Sequence, residues 1–314
     1  MNTKLKPIVA AVGLGLAVFA GSSAAAVTLF SPLTKFEDND VDFILDANGT
    51  PDTFDIGDTL VAVFEIDQTV EVFGTGSVAI APQELSGIAA VTLTGFANLD
   101  GGAVPNDMVF SPYGPGLNSL LPGGITVTGG GAGGGAVAAL WLDDTQNLDV
   151  LGATNCTSMA DCISRASGGS LFEVDGFTSG DGDEFWVALN AQTNIPLVLD
   201  SGTGFTAANV NFGLSILDGG PNSYGLQACS GFFASLCANA PLDPNGGVLD
   251  GMLGVLGSGT VQGGQGLNAG VIADGGFAHS DIDFTKAPTQ IPEPATLALL
   301  GLGLLGMGAV RRRM

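Results

Sequence analysis

Basic residues are the first scarcity. The chain has eight Lys and Arg against 31 Asp and Glu, and five of the eight stand at its ends: Lys4, Lys6, Arg311, Arg312 and Arg313. Between Val27 and Gln290 only Lys35, Arg165 and Lys286 are basic, against thirty acids, a formal charge of −27. No basic patch exists to neutralise phosphates, so this surface excludes nucleic acid and anionic lipid as partners. It attracts divalent cations instead. Histidine is scarcer still. His279 is alone, in "AHSDIDF" (278–284) beside Ser280 and Asp281. Neighbours in an extended chain point to opposite faces, so a Ser-His-acid triad does not converge there. No G-x-S-x-G elbow is present. A G-x-G-x-x-G match, "GLGLLG" (301–306), lies inside an apolar run with no strand before it, and "TGGGAGGGA" (128–136) lacks the Gly-Lys-Ser/Thr ending that reaches phosphates. Among thirty acids no glycosidase pair stands out. The residues predict no enzymatic role.

Long apolar runs are also missing between the two ends: none approaches the roughly 20 residues of a membrane span. Disorder is excluded as well. Charged residues make up only 12% of the chain, and Val, Ile, Leu and Phe are plentiful. What fills the body is short β-rich runs. They read "VDFIL" (41–45), "TLVAVFEI" (59–66), "IAAVTLTGF" (88–96), "ITVTG" (125–129), "AVAALWL" (136–142), "LFEVDGF" (171–177), "EFWVAL" (184–189), "NVNFGLSIL" (209–217) and "AHSDIDF" (278–284). Clusters of Gly, Asp, Asn and Pro separate them. This pattern predicts one all-β, sandwich-like antiparallel domain over 27–290 with Gly-rich loops. "TGGGAGGGA" and "GSGTVQGGQG" (257–266) read as flexible loops or strand edges. Helix is sparse: "TSMADCISRA" (157–166) predicts a short one capped by Ser158, with Asp161 at its N-terminal end. "PQELSG" (82–87) predicts one further turn.

The four cysteines form two close pairs, Cys156 with Cys162 and Cys229 with Cys237. In an oxidising compartment they read as local disulfides, although four cysteines allow three connectivities. A zinc site would need C-x-x-C spacing and more than one histidine. The acids cluster in "EDNDVDFILDANGTPDTFDIGD" (37–58). There Asp46, Asn48, Asp52, Asp55 and Asp58 surround a Gly49/Pro51 turn, and calcium takes six to eight oxygens from such flexible loops. The run does not meet the EF-hand pattern, and solvated turns whose Asp and Asn bond their own backbone give the same sequence. A second acidic turn, "SGDGDEF" (179–185), offers Asp181, Asp183 and Glu184.

Both termini read as targeting segments. Lys4 and Lys6, the apolar run Ile8 to Ala20 and Ala24-Ala25-Ala26 describe a signal helix, residues 1–26, cleaved after Ala26. At the other end, residues 291–314 read "IPEPATLALLGLGLLGMGAVRRRM". Ala295 to Val310 as a hydrophobic helix is about 24 Å long at 1.5 Å per residue, against a bilayer core of about 30 Å. Such a helix holds the membrane only with local thinning. Arg311, Arg312 and Arg313 keep its end on the cytoplasmic side, which leaves the body outside. Pro292 and Pro294 hold the preceding segment extended.

Pro292-Glu293-Pro294, then a Gly/Leu-rich run, then a terminal arginine cluster closely resemble the PEP-CTERM sorting signal of Gram-negative bacteria. The resemblance covers 24 of 314 residues. It implies export, a transient inner-membrane anchor, and recognition by an exosortase near Pro292, Glu293 and Pro294. Proteins with this signal are typically surface or extracellular, often in bacteria that make exopolysaccharide and form biofilm or floc. The expectation is therefore a structural or adhesive protein of the surface or matrix, with extracellular polysaccharide as a partner and calcium bridging its acidic loops. Two other classes stay open. A calcium-assisted carbohydrate-binding module needs exposed aromatics, for which Trp141, Trp186, Tyr113 and Tyr224 are the candidates. Both tryptophans sit in apolar runs that favour a core. A secreted hydrolase needs a cleft of paired carboxyls with perturbed pKa values.

Overall fold

The structure is a computed structural model. It describes Val27 and residues 34–49, 54–99, 106–150, 156–178, 184–189, 206–219, 227–228, 252–263, 267 and 269–286. In chain order the strands are β1 (Thr34–Leu45), β2 (Thr59–Glu71), β3 (Ser77–Ala79), β4 (Glu84–Ala97), β5 (Asp107–Pro112), β6 (Ala136–Asp143), β7 (Ser170–Gly176), β8 (Phe185–Leu189), β9 (Thr206–Asp218), β10 (Gln227–Ala228), β11 (Met252–Leu253), β12 (Val255–Gly263) and β13 (Gly276–Lys286). Among the described residues are two α-helices, α1 (Met159–Ala166) and α2 (Ala269–Ala273), and a short 3-10 helix, Leu117–Ser119. The predicted all-β antiparallel class is what forms.

The strand pairings close on themselves. β1 pairs with β13, β13 with β12, β12 with β9, β9 with β7, β7 with β6, β6 with β4, β4 with β2, and β2 with β1. Two long strands make the circuit work at both ends. Residues 84–89 of β4 pair with β6, and residues 91–97 pair with β5. Likewise 209–213 of β9 pair with β8, and 215–218 pair with β7. β5 and β8 pair with each other, so the β6–β7 and β5–β8 pairs stand end to end in one wall. The sandwich is thus hydrogen-bonded around both edges, which removes the open edges a two-sheet stack would expose.

Period-two patterning decides what goes inside. Leu60, Ala62, Phe64 and Ile66 of β2, Leu85, Ala89, Val91 and Leu93 of β4, and Val210, Phe212 and Leu214 of β9 share one interior cluster. The opposite faces of β1, β2, β4, β6 and β7 form a second core. There Val41, Phe43, Val61, Val63, Ile88, Ala139 and Trp141 lie beneath α1, α2 and the loops around Leu117, Val127 and Leu148. Of these strands, β2, β4 and β6 read as continuous apolar runs because both of their faces are covered.

Helix α1 starts as predicted: Ser158 Oγ accepts the Asp161 N–H at 3.1 Å, and Asp161 pairs with Arg165 one turn on. The Cys156–Cys162 disulfide forms and ties its first turn to the preceding loop. Cys229 and Cys237 lie outside the described residues. Three local expectations are corrected. Residues 125–129 form no strand but an irregular stretch ending in a turn at 128–129, with Gly124 (φ 101°) and Gly129 (φ 70°) at positive φ on either side. Residues 82–87 make no helical turn. The chain enters β4 at Glu84, since Leu85 and Ala89 bury on the interior face. Most of 257–266 is not loop but the middle strand β12, where the bare backbone of Gly257 accommodates the Phe212 ring that a Cβ would overlap.

Candidate functional site

The most unusual chemistry lies where β1 meets β13. On β1 the inward positions are Thr34, Phe36, Asp38, Asp40 and Asp42, all buried. The β1–β13 ladder runs from Thr34↔Lys286 to Phe36↔Phe284, lapses, and resumes in the same register at Asp42↔Ala278. Carboxylates fill the lapse. Asp38 Oδ1 accepts the Ile282 N–H at 2.8 Å, Asp40 Oδ1 accepts the Ser280 N–H, and Asp42 Oδ2 accepts the Ser280 hydroxyl. Side chains of one strand thus replace the backbone acceptors it would have supplied, which meets the demand that buried N–H groups be paired.

Burial pushes the Asp38 and Asp40 carboxyls well above the usual range, and neighbouring carboxylates add to it, Asp283, Asp281 and Asp42 at Asp38 and chiefly Asp42 and Asp38 at Asp40, against the opposing backbone bonds. Asp42 is pushed up to about 7 by burial, despite its Ser280 bond. The row therefore keeps its protons to higher pH than ordinary aspartates do, the result of desolvation outweighing hydrogen bonding.

Asp38 also lines an open polar pocket of about 420 Å³ with Lys35, Glu37, Asp67, Asp281 and Asp283. Lys35 bridges Glu37 at 2.6 Å and Asp283 at 3.0 Å. Its bond to Lys35 lowers Glu37, while burial raises Asp67 and Asp283 against their bonds to Asn39 and Lys35. On the far side of Asp38 is a small, mostly apolar cavity of about 40 Å³, bounded also by Asp40, Phe64, Asp175, Trp186 and Phe212. Trp186 stacks on Phe212 at 4.5 Å and its indole N–H has no partner.

A second buried group sits at the end of β13. Lys286 is almost wholly enclosed and contacts Glu173 and, at 3.5 Å, Asp175 across the interior. Its Nζ lies 5.2 Å and 5.7 Å from the stacked rings of Phe284 and Phe36. Sequence reasoning missed both this lysine and the aspartate row. The signal was there: Ala278, Ser280, Ile282, Phe284 and Lys286 alternate on one face, as Phe36 does with Asp38, Asp40 and Asp42.

The predicted acidic turn is knit by its own hydrogen bonds. Asp46 Oδ1 accepts the N–H groups of Asn48 and Gly49 at 2.9 and 2.7 Å. Buried Asp58 accepts the N–H of Ala47 and of Asp55, and Asn48 donates to Asp55 at 3.1 Å. Asp52 lies outside the described residues. Among the described residues no three or more His, Cys, Asp or Glu side chains are grouped to hold a metal ion. In the second turn Glu184 accepts from the backbone and hydroxyl of Thr178, with Asp181 and Asp183 outside the described residues. Trp141 and Trp186 are both buried, and Tyr113 packs against the outer core, while Tyr224 lies outside the described residues. His279 and Ser280 face opposite ways, as predicted: Ser280 points inward to Asp42 and His279 stays half-buried on the outer face.

Pro292, Glu293, Pro294, Arg311, Arg312, Arg313 and residues 1–26 also lie outside the described residues, and with them both predicted terminal helices. Among the described residues no helix is long and apolar enough to cross a membrane. An acidic β body followed by such a tail defines a class, the exported protein sorted through its C-terminus. The family model described as the PEP-CTERM protein-sorting motif matches residues 290–313. The chain carries that signal, which marks export through a membrane-anchored intermediate and processing by an exosortase. No curated protein and no solved structure matches the chain.

Proposed function

We propose that the mature body is a non-enzymatic structural or adhesive component of the cell surface or extracellular matrix, in a biofilm or exopolysaccharide setting. The observation that carries this reading is the sorting motif at residues 290–313 behind a self-closed β body. A closed hydrogen-bonded circuit suits a protein that must persist outside the cell. Its acidic outer face suits association through divalent ions with anionic polymer. Deleting the gene should weaken biofilm or floc cohesion while leaving growth unchanged, and a chain truncated before Ile291 should fail to restore it. Unchanged cohesion in the deletion strain contradicts the proposal.

The carbohydrate-module reading loses its tryptophans, which are interior. The hydrolase reading gains one observation. In the open pocket, lowered Glu37 stands with raised Asp67 and Asp283, the kind of divergence that separates a base from an acid. Release of reducing sugar from the producing organism's polysaccharide, abolished by Asp67→Asn, would favour that reading over a structural one.

A further inference from the structure

Lys286 is poorly explained as an ion-pair partner. An ammonium at 1% exposure is costly to bury, and neither acid beside it is fully bonded: Glu173 Oε2 and Asp175 Oδ1 have no partner. Glu173 and Asp175 project from the same face of β7, and both reach Lys286 from the opposite side of the interior. Phe36 and Phe284 exclude water from the amine. An amide in this place would bury far less charge than three ionisable groups.

We propose that Lys286 Nζ and the Glu173 side chain condense to an intramolecular isopeptide bond, with Asp175 relaying the proton. Burial lowers Lys286 and raises Asp175, so the proton leaves the ammonium and the amine is free to attack. That proton passes to the Glu173 carboxylate in contact with Nζ, Nζ adds to Cδ of the resulting acid, and the C–N bond forms. Asp175 takes a proton from nitrogen through one oxygen and delivers its own to the departing hydroxyl. The Cδ–OH bond breaks and one water leaves. Amine plus carboxylic acid gives amide plus water, with no oxidant and no cofactor. The 40 Å³ cavity bounded by Asp175 has room for that water. Holding the groups in contact replaces the activation that such a condensation needs in solution.

The bond would tie β13 across the interior to β7. Lys286 stands just before the sorting motif that begins at residue 290. Tension from a C-terminal anchor therefore reaches β13 first, and the cross-link would stop that strand from peeling away.

Tandem mass spectrometry of the reduced, digested full-length protein tests this. The expected result is a branched peptide joining the segments around Glu173 and Lys286, lighter than their sum by one water, with trypsin no longer cutting after Lys286. Glu173→Gln should yield the same linked mass by losing ammonia, and Glu173→Ala should yield none. Asp175→Asn should leave most chains unlinked, and circular dichroism of that variant would show whether it is folded. Separate, unmodified Glu173 and Lys286 peptides from the folded native protein overturn the proposal. So does a link mapped to Asp175, or a fully linked, folded Asp175→Asn variant.

Discussion

The acidic stretch from Glu37 to Asp58 is two different objects. Its first part is β1, whose Asp38, Asp40 and Asp42 face the interior and are raised above the ordinary aspartate range by burial. Its second part is a turn whose Asp46 and Asp58 bind backbone N–H groups locally. Both use carboxylates as backbone acceptors. Asp46 does so at the surface, and Asp58 does so from a buried place at the foot of the turn. The strand does so inside, where the charged form is penalised and the proton stays. Composition alone makes the two halves look alike, and only the strand period separates them.

The largest expected effect is on pH. An unfolded aspartate releases its proton near 3.8, whereas folded Asp42 keeps it to about 7. The native state binds more protons than the unfolded state between those values, so stability falls as pH rises through that window. Asp38, Asp40 and Glu65, the last pushed up to about 8 by burial and by Asp67, Glu84 and Asp149, act in the same direction. An unlinked Lys286, lowered by burial, would oppose them with the reverse sign, whereas one held in the amide does not titrate. Calorimetry should find Tm higher at pH 5 than at pH 8 by on the order of 10 °C, taking about 1.4 kcal/mol per pKa unit. A flat profile, or a rise with pH, would place these acids in water.

Next in size is loss of a strand carboxyl. Asp38→Ala leaves the buried Ile282 N–H without its acceptor and should cost about 2 kcal/mol at pH 5, by urea denaturation. Asp38→Asn keeps the acceptor and cannot ionise. It should match the native protein at pH 5 and exceed it at pH 8, a crossover that a surface aspartate would not give. In the turn, Asp58→Ala removes the acceptor of two N–H groups from a buried site and should cost about 1–2 kcal/mol. Asp46→Ala, exposed, should cost about 0.5 kcal/mol. Smallest of all is calcium. With Asp46 Oδ1 and both Asp58 oxygens already engaged by backbone donors, millimolar calcium should leave Tm where an equal ionic strength of sodium leaves it. A clear rise would mean that the turn, with Asp52 added, is a metal loop after all.

Much of the fold was legible. "TLVAVFEI", "IAAVTLTGF" and "AVAALWL" are apolar on both faces and became the doubly covered strands β2, β4 and β6. "NVNFGLSIL" and "AHSDIDF" alternate and became β9 and β13, with one polar face outside. Ser158 announced α1 through its cap. Strand β12 was hidden because glycine carries no side-chain pattern, and its place rests on what packs against it. "ITVTG" had strand composition, but positive-φ glycines on both sides overruled it. The candidate site was less legible. Acid runs suggest solvent, and nothing local to Asp38 or Lys286 says that a partner strand or a pair of carboxyls waits across the interior. Period two, carried through the charged positions, would have placed both inside. The sorting signal was legible without any fold, because its parts act in order along the chain.

The account turns on protons held inside the β1–β13 seam. Carbon-13 NMR of aspartate carboxyls, with Asp42→Asn used to assign the resonance, measures this directly. It predicts a midpoint for Asp42 near pH 7, with Asp38 and Asp40 also titrating well above the ordinary aspartate range. Midpoints below pH 5 for all three would contradict it.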